Sequence, residues 1–270
     1  MSNVVWAIQE KMLRSDNVDA IKLACDDLKI KNLTVNLIPF DDSFLDIPND
    51  NPTVFYGSTS LRLKALKEFE RYTPGIFFEE DSFSFQALVA GYGRDNLLNG
   101  NSSLISVEQF LKDNDAKSDE LIFMRPALDS KTICGRVETR RWYDEHIKVC
   151  LNQRHGPDNS TLLQLSEPQT IDWEYRLFIV DKKVIASSSY KIRGHLNINA
   201  GVPEYIIHYG EEMANHYSPS PVFVMDVCEL PNKQLKIVEN NCFNCSGLYH
   251  ADPKAIVETV TNYIENNYRL

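Results

Sequence analysis

Two short apolar runs near the end of the chain, residues 222–226 and 235–239, are separated by a turn-like segment that contains Pro-Asn-Lys. This pattern predicts an antiparallel hairpin. The hairpin would place Asp226 beside Glu239 and Asn241. Magnesium prefers oxygen ligands from a few carboxylates or carbonyls, completed by phosphates and water. The trio therefore predicts a magnesium site, and solubility of an exposed hairpin is the alternative explanation for its carboxylates.

A second hairpin is predicted over residues 171–193, with its turn at residues 181–183. Alternation places Glu174 and Arg176 on one face of the first strand, heading toward a core. Charged groups that enter a core require buried partners. An internal ion pair of Arg176 with Glu174 or with Asp226 would satisfy that requirement.

A third pattern begins with the apolar strand 121–126, which ends in Arg125 and a proline. The polar segment that follows contains Ser130 and Lys131. This order suits a mobile lid over a triphosphate, because the cation meets phosphate oxygens while hydroxyls and backbone N–H groups close from above. A surface ion pair for Arg125 and a solvated loop position for Lys131 are the alternatives.

The order of these features resembles the ATP-grasp superfamily of the carboxylate–amine ligase type. It comprises a phosphate-binding cation, a small polar loop, a hinge near residues 161–168, a Glu-x-Arg hairpin, and then an Asp and a Glu-x-Asn end. In ATP-grasp enzymes the strand before the loop typically ends in Lys-Pro. Arg125 resembles an arginine-for-lysine subgroup found in bacteria and phages, and its planar fork can grip two phosphate oxygens.

The resemblance implies an α/β protein with the ATP-grasp fold. Residues 1–118 would form an N-terminal Rossmann-like lobe ahead of the ATP-grasp region at 119–270. Within that region, residues 119–165 would form a central lid lobe and residues 166–270 a C-terminal catalytic α+β lobe.

The resemblance also implies roles toward ATP. It implies phosphate contacts from Arg125, Ser130 and Lys131, adenine contacts from backbone groups of Gln164 and Leu165, a ribose contact from Glu167, and a nucleotide-site role for Glu174. A strand that merely leaves a sheet is the alternative explanation for the hinge segment.

On the substrate side, the resemblance assigns Arg176 to the acyl phosphate or the substrate carboxylate. Lys191 and Arg193 would be secondary anion contacts and would also count among the catalytic residues. Three residues that follow the metal trio would line the acceptor pocket: Asn244, Ser246 and Tyr249.

The activity that this resemblance implies is ATP-dependent ligation. A small-molecule or peptide carboxylate would be activated as an acyl phosphate, and an amine would then form an amide or peptide-like bond, with ATP and Mg²⁺ as cofactors. Two alternatives stay open. One is a catalytically inactive ATP-binding switch or assembly module, which the arginine at 125 keeps in play, and the other is a small-molecule kinase.

The first 70 residues predict a nucleotide-fold-like alternation of strands and helices. The strands are at 4–8, 33–38 and 52–56, and the helices are at 18–28 and 61–70. The turn at residues 57–60 could bind a phosphate at a helix N-terminus. A Ser or Thr helix cap explains the same residues equally well.

Composition narrows the remaining classes. A formal net charge of −10 argues against an extended nucleic-acid surface, which needs clustered Lys and Arg. The apolar runs are far shorter than the roughly 20 residues of a membrane span, and the start lacks signal-peptide features, so a cytoplasmic location is expected. The six cysteines are expected to be reduced. Cys242 and Cys245 have redox or zinc spacing, but packing beside the site is the preferred interpretation. His195 is predicted to be an ordinary loop residue.

Overall fold

The computed structural model describes residues 2–10, 15–37, 47, 51–67, 74–113, 118–130, 132–153 and 156–268. Within these residues, three sheets form three lobes in the order that the sequence predicts. None of the described helices is both long and apolar enough to cross a membrane.

The N-terminal lobe is a parallel sheet flanked by helices. Its strands, in the spatial order β2-β1-β3-β4, are β1 (Val5–Gln9), β2 (Lys31–Val35), β3 (Thr53–Tyr56) and β4 (Pro74–Gly75), and its helices are α1 (Ser15–Asp27) and α2 (Thr59–Lys67). Strands β1 and β3 are buried along their whole length, as apolar strands covered on both faces must be. The Ser58 hydroxyl accepts a hydrogen bond from the Leu61 N–H at 3.3 Å, which is the helix-cap arrangement.

The lid lobe is a four-stranded antiparallel sheet covered on one face by two helices. Its strands, in the order β5-β8-β6-β7, are β5 (Ser103–Ser106), β6 (Leu121–Pro126), β7 (Arg136–Thr139) and β8 (Leu162–Ser166), and its helices are α4 (Val107–Lys112) and α5 (Arg140–Cys150). Helix α3 (Phe85–Tyr92) precedes this lobe. The predicted boundary at residues 118 and 119 would separate β5 and α4 from the sheet and core that they join. We therefore propose that the lid lobe begins near Ser103.

The C-terminal lobe is a five-stranded antiparallel sheet. Its strands, in the order β11-β10-β9-β12-β13, are β9 (Trp173–Val180), β10 (Lys183–Ile192), β11 (His195–Ala200), β12 (Val222–Glu229) and β13 (Leu235–Cys242), and its helices are α6 (Glu204–His216) and α7 (Pro253–Asn267). Both predicted hairpins are present. Asp181 and Lys182 turn the first hairpin with positive φ angles of 47° and 66°. The interpretation of His195 as a loop residue is wrong, because it begins β11 and pairs with Ile192.

The two faces of this sheet bury different partners. One face packs Phe178 and Val224 with the N-terminal strands and with α7. The opposite face packs Leu177 and Met225 against α3 and α6. Since alternate residues point to opposite faces, each strand of the sheet contributes to both cores. The charged residues of β9 and β12 continue the face that meets the N-terminal lobe.

Asn244 joins the N-terminal and C-terminal lobes. Its side-chain Nδ2 donates to the carbonyl oxygens of Phe55 at 2.6 Å and Gly75 at 3.1 Å, and its Oδ1 accepts from the Phe77 N–H at 2.8 Å. The residue is 2% exposed. All of these hydrogen-bonding groups are used inside the protein, so the assignment of Asn244 to a substrate pocket is wrong.

Ser246 has a comparable structural role. Its hydroxyl donates to the Cys242 carbonyl at 2.7 Å, and its own carbonyl accepts from the Tyr56 hydroxyl at 2.7 Å. The residue is buried. Its predicted place in the acceptor pocket is therefore corrected as well, and the segment after β13 serves mainly to attach the two lobes.

We expect Asn244→Ala to lower the free energy of unfolding by about 3 kcal/mol or more, since it leaves buried backbone donors and acceptors without partners at roughly 1–3 kcal/mol each. Urea denaturation would measure the loss. Asn215→Ala is the matched control, because the Asn215 amide bonds only the Glu211 carbonyl on an exposed helix face. Its loss should stay within about 0.5 kcal/mol. Equal effects of the two substitutions would contradict the role given to Asn244.

Candidate functional site

The predicted metal trio converges on one face of the C-terminal sheet. Asp226 lies directly opposite Glu239 in the antiparallel register, and Asn241 lies opposite Val224. The Asn241 Nδ2 is 3.3 Å from Asp226 Oδ2 and 3.0 Å from Glu239 Oε1. Residues opposite each other, and residues two apart on one strand, share a face. Hairpin register therefore brings all three side chains together.

Arg176 lies in register with Asp226 on the neighbouring strand β9. Its Nε donates to Asp226 Oδ1 at 2.8 Å and its Nη2 donates to Asp226 Oδ2 at 2.7 Å, while Nη1 donates to the Gly247 carbonyl at 3.0 Å. The internal ion pair that the sequence left open is thus formed. Burial raises the pKa of Asp226 and Arg176 opposes that rise. For Arg176 burial acts to lower the pKa, but Asp226 outweighs it and the net pKa is raised, so the guanidinium stays charged.

Arg125 reaches the metal trio from the lid lobe. Its Nη1 donates to Glu239 Oε2 at 2.6 Å, and its Nη2 is 3.9 Å from Asp129 Oδ1. Asp129 is in turn bound by Arg62 of α2, at 3.1 Å from Nη1 to Oδ2. Four charged side chains of alternating sign therefore connect the three lobes through ion pairs.

Glu174 forms a second charged group beside the trio. Its carboxylate accepts from the Tyr190 hydroxyl at 2.8 Å and lies 3.2 Å from the Lys191 Nζ. A register shift in β10 between Ser189 and Lys191 places both residues near the same carboxylate. Burial, followed by Asp226 and Glu174, raises the pKa of Tyr190, so its hydroxyl keeps the proton that it donates.

Two stacked tyrosines cover this group. The rings of Tyr190 and Tyr249 are nearly parallel, with centroids 4.7 Å apart. The Arg176 guanidinium lies 4.8 Å from the Tyr249 ring centre and 5.8 Å from that of Tyr190. Cation–π contacts of this kind stabilise a buried cation. Tyr249 also has a positive φ of 53°, which a non-glycine residue adopts only when its surroundings hold it there.

A cavity of about 440 Å³ opens between the lid and C-terminal lobes. Its walls bring together the predicted residues Arg125, Glu174, Lys191, Glu239 and Tyr249, together with Asp129, Tyr190 and the lid residues 133–137. Cavities of a few hundred cubic ångströms hold ligands of small-molecule size. Both signs of charge line the walls, so an occupant with phosphates and a cation would find partners for each.

The trio fits a hard cation by the chemistry of its donors. In the described part of the chain, no group of three or more His, Cys, Asp or Glu side chains could hold a metal, so the candidate is a mixed set of two carboxylates and an amide. Asn241 now directs Nδ2 at both carboxylates. Rotation of its amide by a half turn would direct Oδ1 at the same point, and the three residues would then offer only oxygens, as Mg²⁺ requires.

Several predicted nucleotide residues lie elsewhere. Gln164 and Leu165 are inside β8, between β5 and β6, so their backbone polar groups face strands and the adenine assignment is corrected. The Gln164 side chain donates to Ser102 Oγ at 3.0 Å. Glu167 is exposed and absent from the cavity wall, where Gln169 and Ile171 are the nearest chain positions.

The remaining predicted residues divide as follows. Ser130 lies outside the cavity wall, with its hydroxyl 3.0 Å from that of Thr132. Lys131 lies outside the described residues. Arg193 is bound to Asp172 at 3.2 Å, has a side chain 76% exposed, and is not on the cavity wall. Its assignment as a catalytic anion contact is therefore corrected.

Sequence analysis missed Arg62, Asp129 and Tyr190. Arg62 is an arginine among the apolar positions of α2 and is only 2% exposed, which a helical pattern alone does not reveal. Asp129 lies four residues after the predicted cation and was visible as an acidic residue in the polar loop. Tyr190 was hidden by the register shift in β10, since strict alternation separates it from Lys191.

Comparison with solved structures finds the same fold over nearly the whole chain. D-cycloserine synthetase DcsG is 11% identical with a TM-score of 0.60, over 96% of this chain and 98% of that chain. D-alanyl-alanine synthetase A from Vibrio cholerae is 10% identical with a TM-score of 0.62, over 97% of each chain. Macrocyclase MdnC from Microcystis aeruginosa MRC, bound with precursor peptide MdnA, is 12% identical with a TM-score of 0.52, over 96% of this chain and 99% of that chain.

A comparison with curated proteins gives no match. Residues 105–259 match a family described as an ATP-grasp domain, the second family of its clade. The matched segment runs from β5 into α7 and contains Arg125, Arg176 and the whole metal trio. It spans more than half of the 270 residues. The chain therefore belongs to this ATP-grasp domain family and, with it, to the ATP-grasp superfamily.

Proposed function

We propose that this protein is an ATP-dependent carboxylate–amine ligase that activates its acid as an acyl phosphate. The observation that carries the proposal is the convergence of Asp226, Glu239 and Asn241 with two guanidinium groups, Arg125 and Arg176, beside the interlobe cavity. Phosphoryl transfer to a carboxylate joins two anions, so positive charge on both sides of the transferred group is the main requirement.

The residues suggest a division of labour. Arg125 would bind phosphate oxygens, and the trio would hold Mg²⁺, which supplies charge neutralisation to the phosphates when bound. Arg176 has N–H groups beyond the three that Asp226 and Gly247 occupy, so it can hold the substrate carboxylate while keeping its ion pair. Glu174, Lys191 and Tyr249 lie on the same cavity wall and would contact the acceptor end.

In the proposed reaction the substrate carboxylate oxygen attacks the γ-phosphorus of ATP, and ADP leaves. The amine then attacks the acyl carbon of the acyl phosphate, and inorganic phosphate leaves as the C–N bond forms. The chain's own contribution is orientation and charge, because no residue forms a covalent bond to the substrate. Solved neighbours include peptide-bound proteins such as MdnC, which supports a peptide or a small acid as the carboxylate substrate.

Two alternatives make different predictions. An ATP-binding switch or assembly module would bind nucleotide and never release ADP with any acid. A small-molecule kinase would release ADP but would give a stable phosphorylated product. The buried Arg176 beside the metal trio favours the ligase, since a kinase acting on a hydroxyl has no carboxylate for this cation to hold.

We expect Glu239→Gln to abolish most of the magnesium dependence of nucleotide binding, because one charged metal ligand is lost while side-chain size is kept. Titration calorimetry with the β,γ-imido analogue of ATP, with and without Mg²⁺, would show a metal-dependent affinity gain reduced at least about tenfold. Glu211→Gln is the control, since the Glu211 carboxylate pairs only with Lys183 and the Val184 N–H among described residues. Retention of full magnesium dependence in Glu239→Gln would refute the metal assignment.

Hydroxylamine trapping tests the acyl phosphate. With ATP and the right acid, hydroxylamine in place of the amine should give a hydroxamate. We expect Arg176→Lys to slow hydroxamate formation by roughly 30- to 1,000-fold, with a smaller effect on ATP binding, because the fork contacts the group that gains charge in the transition state. Lysine keeps the charge beside Asp226, so the variant avoids a buried unpaired carboxylate.

Arg193→Ala is the comparison for this experiment, and its hydroxamate rate should stay within about threefold of the wild type, as for an exposed surface residue. ADP release that depends on the acid, with no hydroxamate, would favour the kinase. Firm ATP binding without ADP release from any acid would favour the switch module.

A further inference from the structure

Asp129 lies between two guanidinium groups at the rim of the nucleotide cavity. Its Oδ2 is 3.1 Å from Arg62 Nη1, and its Oδ1 is 3.9 Å from Arg125 Nη2. Asp129 is 1% exposed and Arg62 is 2% exposed. The shorter contact belongs to Arg62, so Asp129 is held mainly by the N-terminal lobe and only weakly by the lid cation.

Arg62 is itself firmly placed for this task. Its Nη2 donates to the Asp129 backbone carbonyl at 3.2 Å, so two donors of one guanidinium bind the same residue. Its guanidinium carbon lies 3.9 Å from the centre of the Phe78 ring. Planar stacking and a two-point contact restrict an arginine far more than a single surface ion pair does.

The charge of Asp129 matters because of its position. Arg125 is bound to Glu239 at 2.6 Å, and in the proposed function both must change partners, Arg125 to phosphate and Glu239 to the metal. A carboxylate at this rim that lacked its own cation could not be solvated. It would bind Arg125 itself and repel the phosphates.

We infer that Arg62 is a positioning residue of the nucleotide site: by holding Asp129, it keeps this carboxylate from capturing Arg125 and so leaves Arg125 free to bind phosphate. The inference rests on the proposed nucleotide site and adds to it a residue from the N-terminal lobe. It also explains why an arginine is buried in α2, where an apolar residue would pack at lower cost.

The test is a double-mutant cycle on binding of the β,γ-imido analogue of ATP with Mg²⁺, measured by calorimetry. Arg62→Met should weaken binding about tenfold or more, because Asp129 then competes for Arg125. Asp129→Asn should bind as well as the wild type or more tightly. The double variant Arg62→Met with Asp129→Asn should return to within about threefold of the wild type, since no carboxylate remains to compete.

Two further variants keep the test decisive. Arg62→Lys retains the charge and should bind within about threefold of the wild type. Lys183→Met removes a positive charge from a surface ion pair elsewhere in the C-terminal lobe and should leave the affinity unchanged. If Arg62→Met does not fold, as thermal unfolding would show, the double variant and Arg62→Lys decide, and weak binding by the double variant overturns the inference.

The outcomes separate the two proposals. Failure of the wild type to bind the analogue would overturn the nucleotide site and the inference together. Binding by the wild type with no loss in Arg62→Met would overturn the inference alone. Equal weakening by Arg62→Met, Asp129→Asn and the double variant would also overturn it, because the pair would then act only as a structural link between lobes.

Discussion

The bidentate ion pair between Arg176 and Asp226 is the interaction on which the rest of the site depends. Both residues lie within the C-terminal sheet, on neighbouring strands and in register, with N–O distances of 2.8 and 2.7 Å. Neither charge could be buried alone, since removing one partner of such a pair costs roughly 3–5 kcal/mol. The pair therefore fixes how β9 meets β12 at this point. Because β13 is aligned on β12, the positions of Glu239 and Asn241 follow from the same constraint.

Both carboxylates of the metal trio already have a guanidinium partner, and this sets the terms for any ligand. Asp226 keeps Arg176 because that pair is buried, whereas Glu239 is bound to Arg125 across two lobes with side chains 25% and 17% exposed. The second pair is the one that a ligand can exchange. Phosphates alone would attract Arg125 but leave Glu239 facing negative charge. Phosphates together with a divalent cation satisfy both sides at once, so charge balance alone couples metal binding to nucleotide binding.

The parts of the site that sequence predicted are those encoded by local patterns. Alternation and turn residues identified both hairpins, and hairpin register then brought Asp226 to Glu239. Tyr190 was not predictable, because a register shift in β10 brings it and Lys191 to one carboxylate where alternation would separate them. The roles of Asn244 and Gln164 were assigned wrongly for another reason. Asn244 bonds a carbonyl 189 residues away, and no local pattern reports a partner at that separation.

Contacts between lobes make the cavity a property of the whole chain. The matched family segment begins at residue 105, yet Arg62 and Phe55 lie upstream of it and bind residues within it. Arg62 sets the charge state around Asp129 from α2, while Asn244 attaches the strand end beyond the metal trio to β3. An N-terminal lobe that only supplied surface would not bury a guanidinium against the lid. Its buried charge is stable only while the lid loop supplies Asp129, so the ordering of that loop and the folding of the N-terminal lobe are thermodynamically coupled.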